Sequence, residues 1–131
     1  MSGKEKVIII TDGTESILSI ARSLADSMTE YKVSICPVEK FSGTDILPAQ
    51  IFFIGCEKPS PQSFSYLEEL FSHINFAGRK CGVFSTNKNA FKYLEKLVKD
   101  SEVTLGEPLL ADADVKIKAS AAKKWVKGVA K

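Results

Sequence analysis

Apolar runs alternate along the chain with segments of helical periodicity. Residues 7–11, 51–54 and 81–85 are continuous or nearly continuous apolar runs, which is typical of strands buried on both faces. Residues 14–29 repeat apolar side chains at helical spacing, and this predicts a first helix. The alternation of the two periods predicts an α/β fold built on a parallel sheet.

Weaker signals add two more strands. Three spaced apolar residues mark a second strand: Val33, Ile35 and Val38. Pro37 predicts that this strand lies at an edge of the sheet, because proline cannot donate a hydrogen bond to a neighbour. Residues 103–110 predict a fifth strand, which Gly106 and Pro108 interrupt.

Start signals and apolar faces predict three further helices. Ser60 is the expected N-cap of one helix and Pro61 its first residue. Its expected buried side chains are Phe64, Leu67, Leu70, Phe71 and Ile74. Asn87 or Asn89 caps the next helix. The side chains expected inside are Phe91, Leu94, Leu97 and Val98. Residues 114–130 predict the last helix. Its expected buried residues are Val115, Ala119, Ala122, Trp125, Val126 and Val129.

The order of these elements predicts the topology. Five strands, four clear helices and one short connection favour a three-layer α/β/α doubly wound sheet of five parallel strands in the order 2-1-3-4-5. We expect one domain over residues 1–131. Ligands bind such sheets beyond the carboxyl ends of the strands, at the switch point between strands 1 and 3. The candidate chemistry is therefore confined to the loops at residues 11–16, 55–63 and 85–89.

Composition narrows the class of protein. A chain of 131 residues with 44% hydrophobic and 26% charged residues is typical of a globular domain and excludes disordered, collagen-like and coiled-coil classes. Its apolar runs are too short to span a bilayer, and its start shows no signal peptide. A net charge of +2 is too weakly basic to predict a nucleic-acid partner. Three widely spaced cysteines favour reduced thiols and a cytoplasmic location without a membrane partner.

Several activities found on such sheets lack the residues that they need. A phosphoryl receiver needs an acidic pair after strand 1 and an aspartate after strand 3, whereas this chain has Asp12 alone and Gly55-Cys56. A phosphatase loop needs an arginine near its cysteine, and none follows Cys56 or Cys81. No GxGxxG or GxxxxGK[ST] motif occurs. His73, the single histidine, is expected on a helix and without a catalytic role.

One loop has the pattern of a phosphate-binding turn. Residues 11–16 read Thr-Asp-Gly-Thr-Glu-Ser and join strand 1 to helix 1. Backbone N–H groups at a helix N-terminus bind phosphate with help from the helix dipole. Gly13 would allow a close approach of the backbone to a ligand. Because the same polar residues cap helices routinely, the loop by itself leaves phosphate binding and simple capping both open.

The chain resembles the flavodoxin family along most of its length. Residues 6–16 look like the first strand and phosphate loop of that family, residues 49–56 like its third strand and following turn, and residues 78–85 like its fourth strand. Residues 106–109 and the helix with Trp125 resemble its C-terminal part. The resemblance implies the doubly wound fold described above.

The same resemblance implies non-covalent FMN binding and a role in electron transfer. In flavodoxins the first loop holds the FMN phosphate, and the loops after strands 3 and 4 enclose the isoalloxazine ring between aromatic side chains. Carried over to this chain, the resemblance implies a cofactor site and neither a metal site nor catalytic residues. The cofactor-binding residues so implied are Thr11, Asp12, Gly13, Thr14, Glu15, Ser16, Gly55, Cys56, Glu57, Lys58, Ser85, Thr86 and Asn87.

The loops also depart from the family pattern Thr/Ser-x-Thr-Gly-x-Thr. Registered on Gly13, the chain has Ile10, Asp12 and Glu15 at the three hydroxyl positions. Residues 55–60 and 85–89 contain no aromatic side chain. These departures favour a second interpretation, a flavodoxin-like binding or scaffold module that has lost FMN. A small flavin-dependent reductase is a third interpretation, and an electron carrier or a binding protein is expected ahead of an enzyme.

The charge bears on possible partners. Typical electron-carrying flavodoxins are strongly acidic, which steers them to basic partners, whereas this chain carries +2. Four lysines fall on one side of the predicted fourth helix: Lys88, Lys92, Lys96 and Lys99. They form either a solvated face, partly paired with Glu95 and Asp100, or a docking surface for an acidic redox or other protein partner. The C-terminal lysines are expected to be solvating residues: Lys123, Lys124, Lys127 and Lys131.

Overall fold

Six strands and five α-helices alternate in the residues that this computed structural model describes, 5–112 and 117–131. The strands are β1 (Glu5–Thr11), β2 (Tyr31–Pro37), β3 (Ile51–Gly55), β4 (Lys80–Ser85), β5 (Thr104–Leu105) and β6 (Leu109–Leu110). The helices are α1 (Glu15–Ser27), α2 (Gly43–Ile46), α3 (Ser65–His73), α4 (Asn89–Lys99) and α5 (Ala119–Ala130). Short 3₁₀ turns cover Val38–Lys40 and Gln62–Phe64.

The strands form one parallel sheet in the order β2-β1-β3-β4-β5, which confirms the predicted order. The predicted fifth strand is two short strands. β5 pairs with the start of β4, where Thr104 lies opposite Lys80, and β6 pairs with its end, where Leu109 lies opposite Phe84. Gly106 and Pro108 lie in the interruption between them, as the sequence predicts.

Two apolar cores cover the two faces of the sheet. In β3, where all five residues are buried, Phe52 and Ile54 join the core that contains residues of α3 and α4. Ile51 and Phe53 join the opposite core, which contains residues of α1 and α5. Strand side chains point alternately to the two faces, so the continuous apolar run of β3 follows from burial on both sides.

The structure corrects two predicted helix starts. The α-helix after β3 begins at Ser65 behind a 3₁₀ turn, and Pro61 is the residue before that turn. Ser60 has φ 53°, a left-handed conformation rather than the extended one of an N-cap. The last helix begins at Ala119, which is exposed although the sequence predicts it to be buried. Residues 114–116, predicted for this helix, lie outside the described residues.

Candidate functional site

The three predicted loops leave the sheet side by side. In the register of the parallel strands, Thr11 at the end of β1 lies opposite Gly55 at the end of β3, and Gly55 lies opposite Phe84 near the end of β4. The loops that follow these three strands therefore meet at one edge of the sheet, beyond the carboxyl ends of the strands. This edge is where doubly wound sheets bind ligands.

The carboxylate of Asp12 joins two of these loops. Its Oδ1 accepts hydrogen bonds from the backbone N–H of Thr14 at 3.0 Å and from the Thr14 hydroxyl at 2.7 Å. Its Oδ2 accepts from the backbone N–H of Glu57 at 2.8 Å. One half-buried carboxylate thus accepts three hydrogen bonds, two from donors just before helix α1 and one from a donor just after strand β3.

A second contact ties the same two loops together. The Ser16 hydroxyl, in the first turn of α1, donates to Oε2 of Glu57 at 2.6 Å. Within the first loop, the backbone N–H of Gly13 donates to the hydroxyl oxygen of Thr11 at 3.2 Å. The side chains of Asp12, Thr14 and Ser16 and the backbone N–H groups of Gly13 and Thr14 are therefore hydrogen-bonded within the protein.

Gly13 has a backbone conformation that favours glycine. Its φ is +85°, and a Cβ built on it would meet no heavy atom within 4 Å. Residues with a Cβ rarely adopt this left-handed region. The left-handed turn between β1 and α1 is one reason for a glycine here, and the close approach of a ligand suggested by the sequence stays a prediction.

Ser85 joins the loop after β4 to the loop after β3. Its buried hydroxyl donates to the carbonyl oxygen of Cys56 at 2.6 Å and accepts from the backbone N–H of Asn87 at 3.0 Å. The Asn87 side chain in turn accepts from the backbone N–H of Asn89 at 3.0 Å. This chain of bonds sets the start of α4 and leaves the Asn87 side chain engaged in the loop.

The other predicted site residues lie at the rim. Glu15 and Lys58 are exposed, and Thr86 is half-buried. The Glu15 carboxylate lies 3.9 Å from the Arg22 guanidinium, with both side chains largely in solvent, so that pair contributes little to stability. Leu110, 55% exposed, lies opposite Ser85 in the sheet. Nothing in the local sequence pattern assigns this apolar side chain to the candidate site.

The Cys56 thiol is held in its protonated form. Burial, together with the nearby Asp12 carboxylate, raises its pKa from the ordinary value of 9.0 to about 12. A thiol is nucleophilic only as the thiolate. The edge of the sheet therefore holds no cysteine nucleophile at neutral pH.

We expect the free energy of unfolding to fall as the pH rises above 9. The unfolded Cys56 thiol ionises near its ordinary pKa, whereas the folded protein retains this proton up to about pH 12. Since the unfolded state then binds fewer protons, stability is lost with increasing pH, by up to about 1.4 kcal/mol per pH unit for this thiol. Urea unfolding at several pH values between about 8 and 10 measures how the free energy of unfolding changes with pH.

The matched variant for this measurement is Cys56→Ala. Its stability should fall less steeply with pH than that of the unchanged protein, because the buried thiol is gone. Parallel curves for the two proteins would show that Cys56 ionises equally in the folded and unfolded states.

Solved structures share this architecture. The chain is similar to oxidised Flavodoxin 2 from Bacillus cereus, with a TM-score of 0.77 and 15% identity over 95% of this chain and 97% of that one. It is also similar to a short-chain flavodoxin associated with a non-canonical PDU bacterial microcompartment, with a TM-score of 0.74 and 14% identity over 98% and 97% of the two chains. The chain has a flavodoxin-like fold. No family model and no curated protein matches its sequence.

A third solved structure with this fold is described with a bound ligand. A flavodoxin from Fusobacterium nucleatum, described as bound to flavin mononucleotide, has a TM-score of 0.74 and 10% identity over 95% of this chain and 96% of that one. At these identities the likeness extends to the fold alone.

Within the described residues, no helix has the length and apolar character to cross a membrane, and no cluster of three potential ligands for a metal ion occurs.

The residues at the edge do not fit FMN. A phosphate at the first loop would lie beside the carboxylates of Asp12 and Glu57, whose oxygens accept hydrogen bonds from Thr14, Ser16 and Glu57. The nearest aromatic after β3 is Phe64, which is completely buried. After β4 come Phe91 and Tyr93, both half-buried. The Tyr93 hydroxyl donates to Glu68 at 2.7 Å, and the rings of Phe91 and Tyr93 both pack against the core that contains residues of α3 and α4.

Proposed function

We propose that this chain is a flavodoxin-like binding or scaffold module that does not hold FMN. The observation that carries the proposal is the Asp12 carboxylate, which accepts from two donors of the first loop and from the backbone N–H of Glu57. We assign the module to the cytoplasm, where free thiols persist. All three cysteines are free: Cys36, Cys56 and Cys81.

Electrostatics favours this function over FMN binding. Hydrogen bonds to a charged acceptor contribute about 1.5–3 kcal/mol each, and a phosphate at the loop would have to replace those made by Asp12. Two unit charges about 4 Å apart repel by about 4 kcal/mol at an effective dielectric constant of about 20. Hydrogen bonds that the phosphate accepts are also charge-assisted, at about 1.5–3 kcal/mol each, so they replace those of Asp12 without a gain, and the repulsion remains as a cost.

The second candidate function is an FMN-dependent electron carrier. It is favoured by the hydroxyls of Thr11, Thr14 and Ser16, which cluster at the start of α1, and by the FMN-bound neighbour from Fusobacterium nucleatum. FMN would supply the redox chemistry, and the three loops would orient it. In this function the side chain of Asp12 must leave the loop. A flavin-dependent reductase needs in addition a placed acid or base, whereas the carboxylates of Asp12 and Glu57 are engaged in hydrogen bonds between the loops.

The absorption spectrum and an FMN titration separate the two functions. We expect the purified protein to be colourless and to leave the fluorescence of added FMN unquenched. The FMN-bound Fusobacterium nucleatum flavodoxin, stripped of its cofactor, is the positive control in the same titration. Flavin absorption in the protein as purified, or stoichiometric quenching of FMN, would overturn the proposal in favour of the electron carrier.

A further inference from the structure

The C-terminal segment carries positive charge without any acidic side chain. Residues 117–131 contain five lysines and no Asp or Glu: Lys118, Lys123, Lys124, Lys127 and Lys131. The whole chain has 18 basic and 16 acidic side chains, so the remaining residues carry 13 basic against 16 acidic ones, a charge of −3. The excess of positive charge is therefore located in and around α5.

Helix α5 separates its lysines from its buried side. Ala122, Val126 and Val129 are buried in the core. At 3.6 residues per turn, Lys123, Lys124 and Lys127 of α5, continued to Lys131 directly after its last residue, fall within an arc of about 100° on the opposite side. All four are exposed. We call these four residues the α5 lysine row.

The row is about 12 Å long. Lys123, Lys127 and Lys131 follow one another at intervals of four residues, which is about 6 Å of helix rise at 1.5 Å per residue. Like charges at this spacing destabilise a helix. Within the described residues, no carboxylate lies within 4.0 Å of the ammonium group of any of these four lysines.

The lysines of α4 differ in their surroundings. Lys88, Lys92, Lys96 and Lys99 are also exposed on one side of their helix. However, Glu95 and Asp100 lie in the same segment, and both are exposed. They halve the net charge of that surface, from four positive charges to two. The docking surface expected on α4 is therefore the weaker of the two.

We propose that the α5 lysine row is a docking surface for an acidic protein segment with Asp or Glu at one-turn spacing. Carboxylates on a partner helix repeat at the same interval as the lysines, so charge and spacing are both complementary. This inference does not depend on whether the first loop holds FMN.

Two other anionic partners fit this surface less well. The row contains no arginine and no aromatic side chain, the groups that give nucleic-acid sites bidentate phosphate contacts and base stacking. A membrane-surface helix inserts its apolar face into the lipid, whereas Ala122, Val126 and Val129 of α5 are buried in the protein. An acidic protein needs neither of these features.

The test uses a labelled synthetic helical peptide with glutamates at one-turn spacing as the probe, and measures binding by fluorescence anisotropy without FMN. The triple variant K123E/K127E/K131E should weaken binding by at least about tenfold, a change of about 1.4 kcal/mol. Its matched control is K92E/K96E/K99E on α4, which changes the net charge equally and should weaken binding by less than about threefold. Circular dichroism verifies that both variants are folded.

Three results would overturn the proposal. The first is that the unchanged protein does not bind the peptide. The second is that the two triple variants lose equal affinity, which would show that binding depends on net charge alone. Tighter binding to duplex DNA or to phosphatidylserine vesicles than to the peptide would assign the row to a different class of partner. A loss confined to the α5 variant, with weaker binding at higher salt, supports it.

Discussion

Replacing Gly55 with alanine is expected to lower the free energy of unfolding by about 2–3 kcal/mol. Gly55 is the last residue of β3 and is buried. An added Cβ would lie 2.3, 2.5 and 2.8 Å from three ring atoms of Phe84. Phe84 is itself completely buried in the core that α1 and α5 cover. The ring has no free space to enter, so the methyl group must displace packed side chains.

Urea unfolding of Gly55→Ala measures this loss, and Gly128→Ala is the matched control. Gly128 lies within α5, and a Cβ there would meet no heavy atom within 4 Å. The control should be more stable than the unchanged protein by about 0.5–1 kcal/mol, because alanine favours helix over glycine. A Gly55→Ala protein as stable as the parent would show that the Phe84 ring does not cover Gly55.

The strand order could be predicted because each central strand is encoded by its own residues. Ile51, Phe52, Phe53 and Ile54 form a continuous apolar run, and all four are buried between two helical layers. A strand with this pattern has to lie inside a sheet. Right-handed crossover rules then leave few topologies for alternating strands and helices. The sequence therefore predicted the sheet and the edge at which its loops meet.

The contacts at that edge could not be predicted from local patterns. Asp12 and Glu57 are 45 residues apart, and Ser16 and Glu57 are 41 apart. The sequence showed only that Asp12 stands at a position where the flavodoxin pattern has a hydroxyl. It gave no indication that this carboxylate accepts three hydrogen bonds. Such bonds depend on strand register and on the side-chain rotamer, neither of which local spacing determines.

The left-handed Ser60 escaped prediction for a related reason. Serine before proline is a frequent helix start, and here it lies in the sequence Pro59-Ser60-Pro61. The chain instead turns at Ser60, with φ 53°, and enters a 3₁₀ turn before α3. Phe64, the last residue of that 3₁₀ turn, is completely buried in the core that contains residues of α3 and α4, and this burial is a property of the tertiary fold.

The affinity for FMN of Asp12→Asn, compared with the unchanged protein, tests the central claim most directly. The amide of asparagine keeps an acceptor for Thr14 but removes the charge, so the repulsion of phosphate, about 4 kcal/mol at about 4 Å, is relieved. We expect the dissociation constant for FMN to fall by at least about tenfold, or about 1.4 kcal/mol.

Two controls distinguish this change in FMN affinity from an effect of the protein's net charge. Asp26→Asn makes the same change at an exposed position on α1 and should leave the affinity unaltered. Riboflavin, which lacks the phosphate, should bind Asp12→Asn and the unchanged protein with equal affinity. If fluorescence titration gives a phosphate-dependent affinity at least tenfold higher for Asp12→Asn, as roughly predicted above, then Asp12 closes the first loop to phosphate. Equal FMN affinity of Asp12→Asn and the unchanged protein would contradict that account.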